Sequence, residues 1–175
     1  MSTPMQTELT LPAETDDLRR VYGVFPSGVV SVCALVDGNA VGMAFSSFTS
    51  VSLDPPLVSI CPAHSSRTWP SLRRAPRLGV SVLGVSQAET ARRLSSRNGD
   101  RFADLEVASS EDGALFLPDA AAWIDCTVEA ELRGGDHDVV LLRVQRMAMA
   151  SDVDPLVFHA SSFHRLDPLA GSGRG

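Results

Sequence analysis

Two clusters of side chains have the types and spacing to do chemistry, and both fall between Gly42 and Thr68. Ser46, Ser47, Thr49, Ser50 and Ser52 offer hydroxyl donors and acceptors at close spacing, without bulk or charge. Ser65, Ser66 and Thr68 frame the guanidinium of Arg67 with three hydroxyls. The first set suits the polar edge of a flat heterocycle. The second suits a phosphate, because hydrogen bonds to a charged group are stronger than those between neutral ones. A sheet edge with serine-rich turns is the competing reading, and these residues alone support it equally.

His137 is the third point of interest, in the turn Gly134-Gly135-Asp136-His137-Asp138. An imidazole in a sharp polar turn can contact a substrate, with Asp136 or Asp138 raising its pKa or fixing its tautomer. An ordinary turn histidine is the simpler alternative. His64 reads either as an addition to the arginine cluster or as a plain loop residue. His159 flanks an apolar pair and reads as structural, and Trp69 and Trp123 read as packing before they read as a wall beside a ring.

Several chemistries lack support. All fifteen basic residues are arginine, so neither a Schiff-base lysine nor a P-loop lysine is available. There is no GxGxxG after a strand, no HExxH, no EF-hand loop and no GxSxG, which leaves a Rossmann nicotinamide site, a metal centre and a serine hydrolase without a signature. The 175 residues suffice for one domain with a real core, and the net charge of -6 argues against nucleic acid or an anionic membrane as partner. Cys33, Cys61 and Cys126 are odd in number, far apart and set in apolar runs, the pattern of buried reduced thiols. With no basic-then-apolar leader and no run of membrane-spanning length, the expected location is the cytoplasm.

The elements that must position these residues follow from patterning. Residues 1–13 read as a loose polar tail. Thr15 caps a short helix with Asp16 and Asp17 in its first turn and Leu18, Val21, Tyr22 and Phe25 as an apolar stripe, Tyr22 serving as packing. Gly28 to Val36 reads as a buried strand, and Asp37-Gly38-Asn39 turns it into a hairpin. Leu57 to Cys61 is a further strand. Ser65 or Ser66 then caps a helix through Trp69, Leu72 and Arg73, whose N-terminus adds N–H groups and partial positive charge to the arginine cluster. Arg77 to Gly84 is strand, and Ser86-Gln87-Ala88-Glu89 matches a capping box for a helix through Leu94. Residues 103–120 read as an irregular acidic surface excursion. Ala122 to Leu132 alternates with period two, giving Trp123, Asp125, Thr127, Glu129 and Glu131 one wet face. Val139 to Val144 runs back, Leu156 to His159 forms a last short strand, and the chain after about Leu166 is loose. Many strands, few short helices and no βαβ alternation predict a mainly β, closed or nearly closed antiparallel barrel with helical decoration.

The segments LRRVYGVFPSGVVSV, GMAFSSFTSVSLDPPLVSIC, SSRTWP, NGDRF, GGDHDVVLLRV and LVFHASSFHRL occur in that order between Leu18 and Leu166. On them the chain resembles the flavin reductase-like family with the FMN-binding split-barrel fold, the small reductase components of two-component flavin monooxygenases. The resemblance implies an antiparallel split-barrel domain over residues 14–166 with flexible tails, and a homodimer with its flavin near the dimer interface. It implies an NAD(P)H:flavin oxidoreductase that moves a hydride from NADH or NADPH to FMN or FAD, and supplies reduced flavin to a separate monooxygenase. By position, Pro26, Ser27 and Gly28 lie beside the flavin ring, Met43, Ala44, Phe45, Ser46 and Ser47 line it, and Ser50, Val51 and Ser52 contact its edge. Ser65, Ser66, Arg67 and Thr68 take the phosphate, with Arg101, Phe102 and Phe163 framing the site. His137 matches the family histidine associated with the nicotinamide substrate and is the expected catalytic residue. Serine stands at 46 and 81, where many members carry asparagine, and at Ser27, where threonine is common; these bear on flavin affinity and on FMN versus FAD. Two alternatives are an oxidoreductase that keeps FMN tightly and acts on a small organic substrate, and a non-catalytic flavin-binding protein. Hydride transfer between two cofactors asks the protein for orientation and electrostatics, so the lack of a catalytic triad or metal cluster is no obstacle.

Overall fold

A computed structural model of the chain describes residue 9, residues 11–12 and residues 14–169. The tails expected at 1–13 and 167–175 lie mostly outside these residues. In chain order the elements are α1 (Thr15–Tyr22), β1 (Ser27–Gly28), β2 (Val30–Val36), β3 (Asn39–Phe45), β4 (Thr49–Leu53), β5 (Pro56–Ile60), α2 (Trp69–Leu72), β6 (Leu78–Val82), α3 (Ala88–Ser95), β7 (Ala108–Ser109), β8 (Ala114–Phe116), β9 (Ala122–Gly134), β10 (His137–Met149), β11 (Val157–His159) and β12 (Ser162–His164). The main sheet runs β4-β5-β10-β9-β6-β2-β8-β7 with β3 also on β2, while β1, β11 and β12 form a small second sheet. The strand pairs are antiparallel, as in the split barrel expected from the sequence.

Strand β2 is the axis of this architecture. Val30, Val32 and Ala34 point into a core with Ile60, Leu78, Val140 and Leu142, whereas Cys33 joins a second core with Leu83, Leu94 and Leu115. A strand buried on both faces needs no polar alternation, which accounts for its continuous apolar run. Each fully buried Val, Leu or Ile contributes about 1.5–3 kcal/mol. Asp37 and Gly38 turn the chain with φ of 51° and 78°, so β3 returns along the whole of β2. On its other edge, β2 pairs first with β6 and then with β8. Gly79 lets those two strands converge: a Cβ there would lie 2.1 Å from the Leu115 carbonyl oxygen.

Several expectations are corrected. The acidic stretch 103–120 is not a surface excursion throughout, because it carries β7 and β8 and buries Ala114, Leu115, Leu117 and Ala120. The wet face expected on β9 is broken at Asp125, which is 4% exposed. Arg77 donates to its two carboxylate oxygens at 2.8 and 2.7 Å, and Arg146 adds a third bond at 3.2 Å. Burial pushes the Asp125 carboxyl up, but the hydrogen bonds and charges of Arg77, then Arg146, outweigh it and hold the pKa below the ordinary value. The β9–β10 register also slips at Glu129, between the pairs Ala130–Leu141 and Val128–Leu142. That bulge ends the strict alternation, and Leu132 on the nominally inner set is exposed.

The helices differ in their starts. Helix α1 begins at Thr15 itself, with Glu14 at the N-cap position and no side-chain cap. Among the described residues only Leu18 of its apolar stripe is half-buried, whereas Val21, Tyr22 and Phe25 are 68%, 68% and 78% exposed. Helix α3 has no side-chain cap, at Ser86 or elsewhere; in the 3-10 turn Val85–Gln87 that leads into it, the Gln87 side chain accepts from the Gly84 N–H at 2.9 Å and donates to the Pro118 carbonyl at 2.6 Å. Ser66 does accept from the Trp69 and Thr68 N–H groups at 3.1 and 3.3 Å, but α2 is only four residues long. One turn sums too few peptide dipoles to supply the partial charge expected at its N-terminus. Burial pushes the Cys33 and Cys126 thiols up to about 12, Cys61 is half-buried, and all three are free. Among the described residues no helix is long and apolar enough to cross a membrane.

Candidate functional site

The Ser65–Thr68 loop leaves β5 and turns directly into α2, opposite the middle of β3 and the C-terminal end of α3. A cleft of about 320 Å³ opens between them, lined by Met43 and Ala44 of β3, by Ala63 and the loop residues Ser65, Ser66, Arg67 and Thr68, and by Ser95, Arg97 and Arg101. The loop is tied down from several sides. Ser66 Oγ lies 3.7 Å from the Met43 sulfur. Arg101 donates to the Gly42 carbonyl at 2.9 Å, to Thr68 Oγ1 at 2.8 Å and to the Ser96 carbonyl at 2.8 Å, joining β3, the loop and the end of α3 through one guanidinium. Arg67 reaches the Arg97 carbonyl at 3.4 Å.

The arginines around this cleft are not balanced by carboxylates, a property they share with Arg74, Arg93 and Arg133, but only here, among the described residues, do three of them gather. Arg19, Arg20, Arg73, Arg77, Arg92, Arg143 and Arg146 each pair with an aspartate or glutamate. No carboxylate among the described residues pairs with Arg67, Arg97 or Arg101. Burial, and then the nearby charge of Arg67, lower the pKa of Arg101. Like charges gathered without a counter-ion, beside three hydroxyls, fit an anion such as a phosphate.

Two smaller spaces adjoin the cleft. Ala44 and Ser95 also border an apolar pocket of about 120 Å³ with Phe45, Ser46, Phe158 and Phe163. Arg67, Thr68, Arg97 and Arg101 also border a second cleft of about 310 Å³, together with Asp100 and Phe102.

His137 lines none of these spaces, but the chain brings it alongside. It forms an isolated antiparallel bridge with Ala63, which does line the main cleft. The β9–β10 tip is fastened there by Asp138 N–H to the Pro62 carbonyl at 3.0 Å and by His64 N–H to the Asp136 carbonyl at 2.9 Å. His64 Nε2 meets the Asp138 carboxylate at 2.8 Å, and His137 Nδ1 meets that of Asp136 at 2.8 Å. The hydrogen bond from His137, then its charge, hold the Asp136 carboxyl below its ordinary value. With Nδ1 so engaged, Nε2 is the ring nitrogen left for a ligand.

Other residues singled out from the sequence lie elsewhere. Pro26, Ser27 and Gly28 precede or form β1, beside β11, outside the cleft lining. Ser47 Oγ accepts from the Cys61 N–H at 2.9 Å, which holds the turn before β4 against β5. Ser50, Val51 and Ser52 lie on β4, an edge of the main sheet, where Val51 is the extra residue of a bulge and is 49% exposed. Phe45 is buried in the main core. Ser81 is fully buried and accepts from the Leu117 N–H at 3.0 Å, so its hydroxyl holds the chain after β8 rather than facing the cleft. Sequence reasoning missed Ser95 and Arg97. Their only local signal was an arginine just past the end of a helix.

A small antiparallel barrel with an arginine-and-hydroxyl cleft and an adjacent histidine turn belongs to the class of proteins that hold phosphorylated heterocycles. Residues 21–167 match the family model described as flavin reductase like domain, and the chain belongs to that family. It is 38% identical over 146 residues to a flavin reductase from Pseudomonas putida, covering 83% of this chain and 86% of that one. It is 37% identical over 159 residues to the reductase subunit HsaB of a flavin-dependent monooxygenase from Rhodococcus jostii, covering 89% and 82% of the two chains. The NADH:FAD oxidoreductase of Streptomyces globisporus, solved in complex with NAD and FAD fragments, superposes with a TM-score of 0.86 at 34% identity over 94% of this chain and 99% of that one.

Proposed function

We propose that this chain is an NAD(P)H-dependent flavin reductase that takes its flavin into the cleft between β3, the Ser65–Thr68 loop and the end of α3. The observation that carries the reading is the set of three arginines without carboxylate partners facing three hydroxyls. When bound, the flavin accepts a hydride from the reduced nicotinamide and carries both electrons away. Arg67, Ser65, Ser66 and Thr68 neutralise and hold its phosphate, with Arg101 fixing Thr68 in place. Met43 and Ala44 give the ring an apolar wall, and Phe45, Ser46 and Phe163 border the pocket beside it. His137, its ring held by Asp136, orients the nicotinamide dinucleotide.

Pro26 to Gly28 and Ser50 to Ser52 complete this site only from outside the cleft of one chain, which favours a homodimer. The uncovered Val21, Tyr22, Val24 and Phe25 after and within α1, with Leu53 at the end of β4, are the surface we assign to the second copy. Light scattering should give twice the chain mass of 18.6 kDa, and a monomer at micromolar concentration would refute the assignment. The reduced flavin passes to a separate monooxygenase, the role carried in the names of several relatives. The three free thiols accord with a reducing cytoplasm.

The decisive experiment records the visible spectrum of the purified protein and follows NADH and NADPH oxidation with and without FMN or FAD. Turnover that requires added flavin supports the reading, and a yellow protein inert to both nicotinamides refutes it. His137→Ala should raise the KM for the nicotinamide dinucleotide by about tenfold while kcat falls far less, the pattern of lost ground-state binding. An unchanged KM would remove His137 from the site.

A further inference from the structure

We infer that His64 and Asp138 form a positioning pair that holds the His137 turn at a fixed tilt against the anion loop, so that flavin and nicotinamide dinucleotide each bind more tightly when the other is present. The inference rests on the flavin reading above and deepens it by naming what links the two ligands. His64 directly precedes the loop residues Ser65 to Thr68, and Asp138 directly follows His137. The His64 Nε2 and the Asp138 carboxylate meet at 2.8 Å, so one contact joins the immediate neighbours of the two ligand-bearing groups.

The backbone alone does not fix this placement. Ala63 and His137 form a bridge of a single residue pair, made by the His64 N–H to the Asp136 carbonyl and the Asp138 N–H to the Pro62 carbonyl. Two such bonds set where the tip lies against the loop but let it rock about the line that joins them. A side-chain contact stands off that line, because side chains project out of the plane of a paired backbone. It therefore sets the tilt, and with it the direction in which the His137 ring points. The two side chains are 34% and 25% exposed, so water screens their contact less than it screens an open surface pair. Asp136, which holds the His137 ring at 2.8 Å, cannot set the tilt because it moves with the tip. A phosphate that orders the loop also orders His64 and, through Asp138, the imidazole. By linkage, a dinucleotide that orders the imidazole improves the loop to the same extent.

Titration calorimetry with NAD+, a nicotinamide that cannot reduce the flavin, tests this without turnover when run with and without saturating FMN or FAD. In the native protein flavin should tighten NAD+ binding by at least about fivefold, and NAD+ should tighten flavin binding by the same factor. His64→Ala and Asp138→Ala should each leave no more than about a twofold effect, and the double variant should add nothing to either. His64→Gln keeps an N–H donor at similar reach and should restore part of the factor. A residue that merely supported the loop would weaken flavin binding and leave the factor intact. That result overturns the inference, as does a native protein whose two ligands bind independently. Should His64→Ala fail to fold, Asp138→Ala breaks the same contact from the other side and decides the matter. A native protein that binds neither flavin overturns the flavin reading itself.

Discussion

Asp125→Ala should lower the stability of the fold by about 1–3 kcal/mol, the cost of leaving the partly buried Arg77 guanidinium without its carboxylate. Asp125 sits 4% exposed between Arg77, which holds both its oxygens, and Arg146, which bridges onward to Asp112 at 3.4 Å. These contacts join β9, the residue before β6, and β10. The carboxyl's folded pKa lies below its ordinary value of 3.8. Its stabilising contribution is therefore complete above that value and is lost as pH falls through the depressed one. Urea unfolding as a function of pH reads both effects. The native protein should lose stability below about pH 4, and the variant should start lower and fall less steeply over that range. A urea midpoint unchanged in Asp125→Ala would refute the role given to this cluster.

Arg67→Ala should weaken flavin binding by about 10- to 100-fold, the equivalent of one lost charge-assisted hydrogen bond of roughly 1.5–3 kcal/mol. Among the described residues its side chain makes one hydrogen bond, the long one to the Arg97 carbonyl at 3.4 Å, so the melting temperature should hardly move. That separates a ligand-holding role from a structural one. Arg67→Lys keeps the charge and loses the planar fork, and should recover only part of the affinity. Flavin titration of the three proteins decides the matter, and equal dissociation constants would remove Arg67 from the phosphate end.

The fold was legible where local chemistry decides it. The Asp37-Gly38 turn, the double-sided apolar run of β2 and the long alternating β9 each carry their own signal. Strand β8 carried none: Ala114 to Phe116 is too short to show a period and sits in acidic surroundings, and only the space above Gly79 makes a place for it. Asp125 looked solvated for a related reason, since its partner Arg77 is 48 residues away in sequence. The stripe on α1 was visible, but a stripe does not say whether it faces its own core or another surface. In the cleft, the Ser65–Thr68 chemistry could be read directly. That Arg97 and Arg101 converge on the same loop could not, because long-range packing of α3 against β3 brings them there.

The fastening of the β9–β10 tip to residues 62–64 has a consequence for motion. The Asp138 and His64 amides are each bonded across the same short junction, in opposite directions. Neither bond can open without displacing the segment that carries the other. Their protons should exchange with solvent through one shared opening event, with similar protection factors and a similar dependence on denaturant. The loop that faces the anion and the turn that carries the imidazole then breathe as one unit, so a ligand that quiets either of them slows exchange at both.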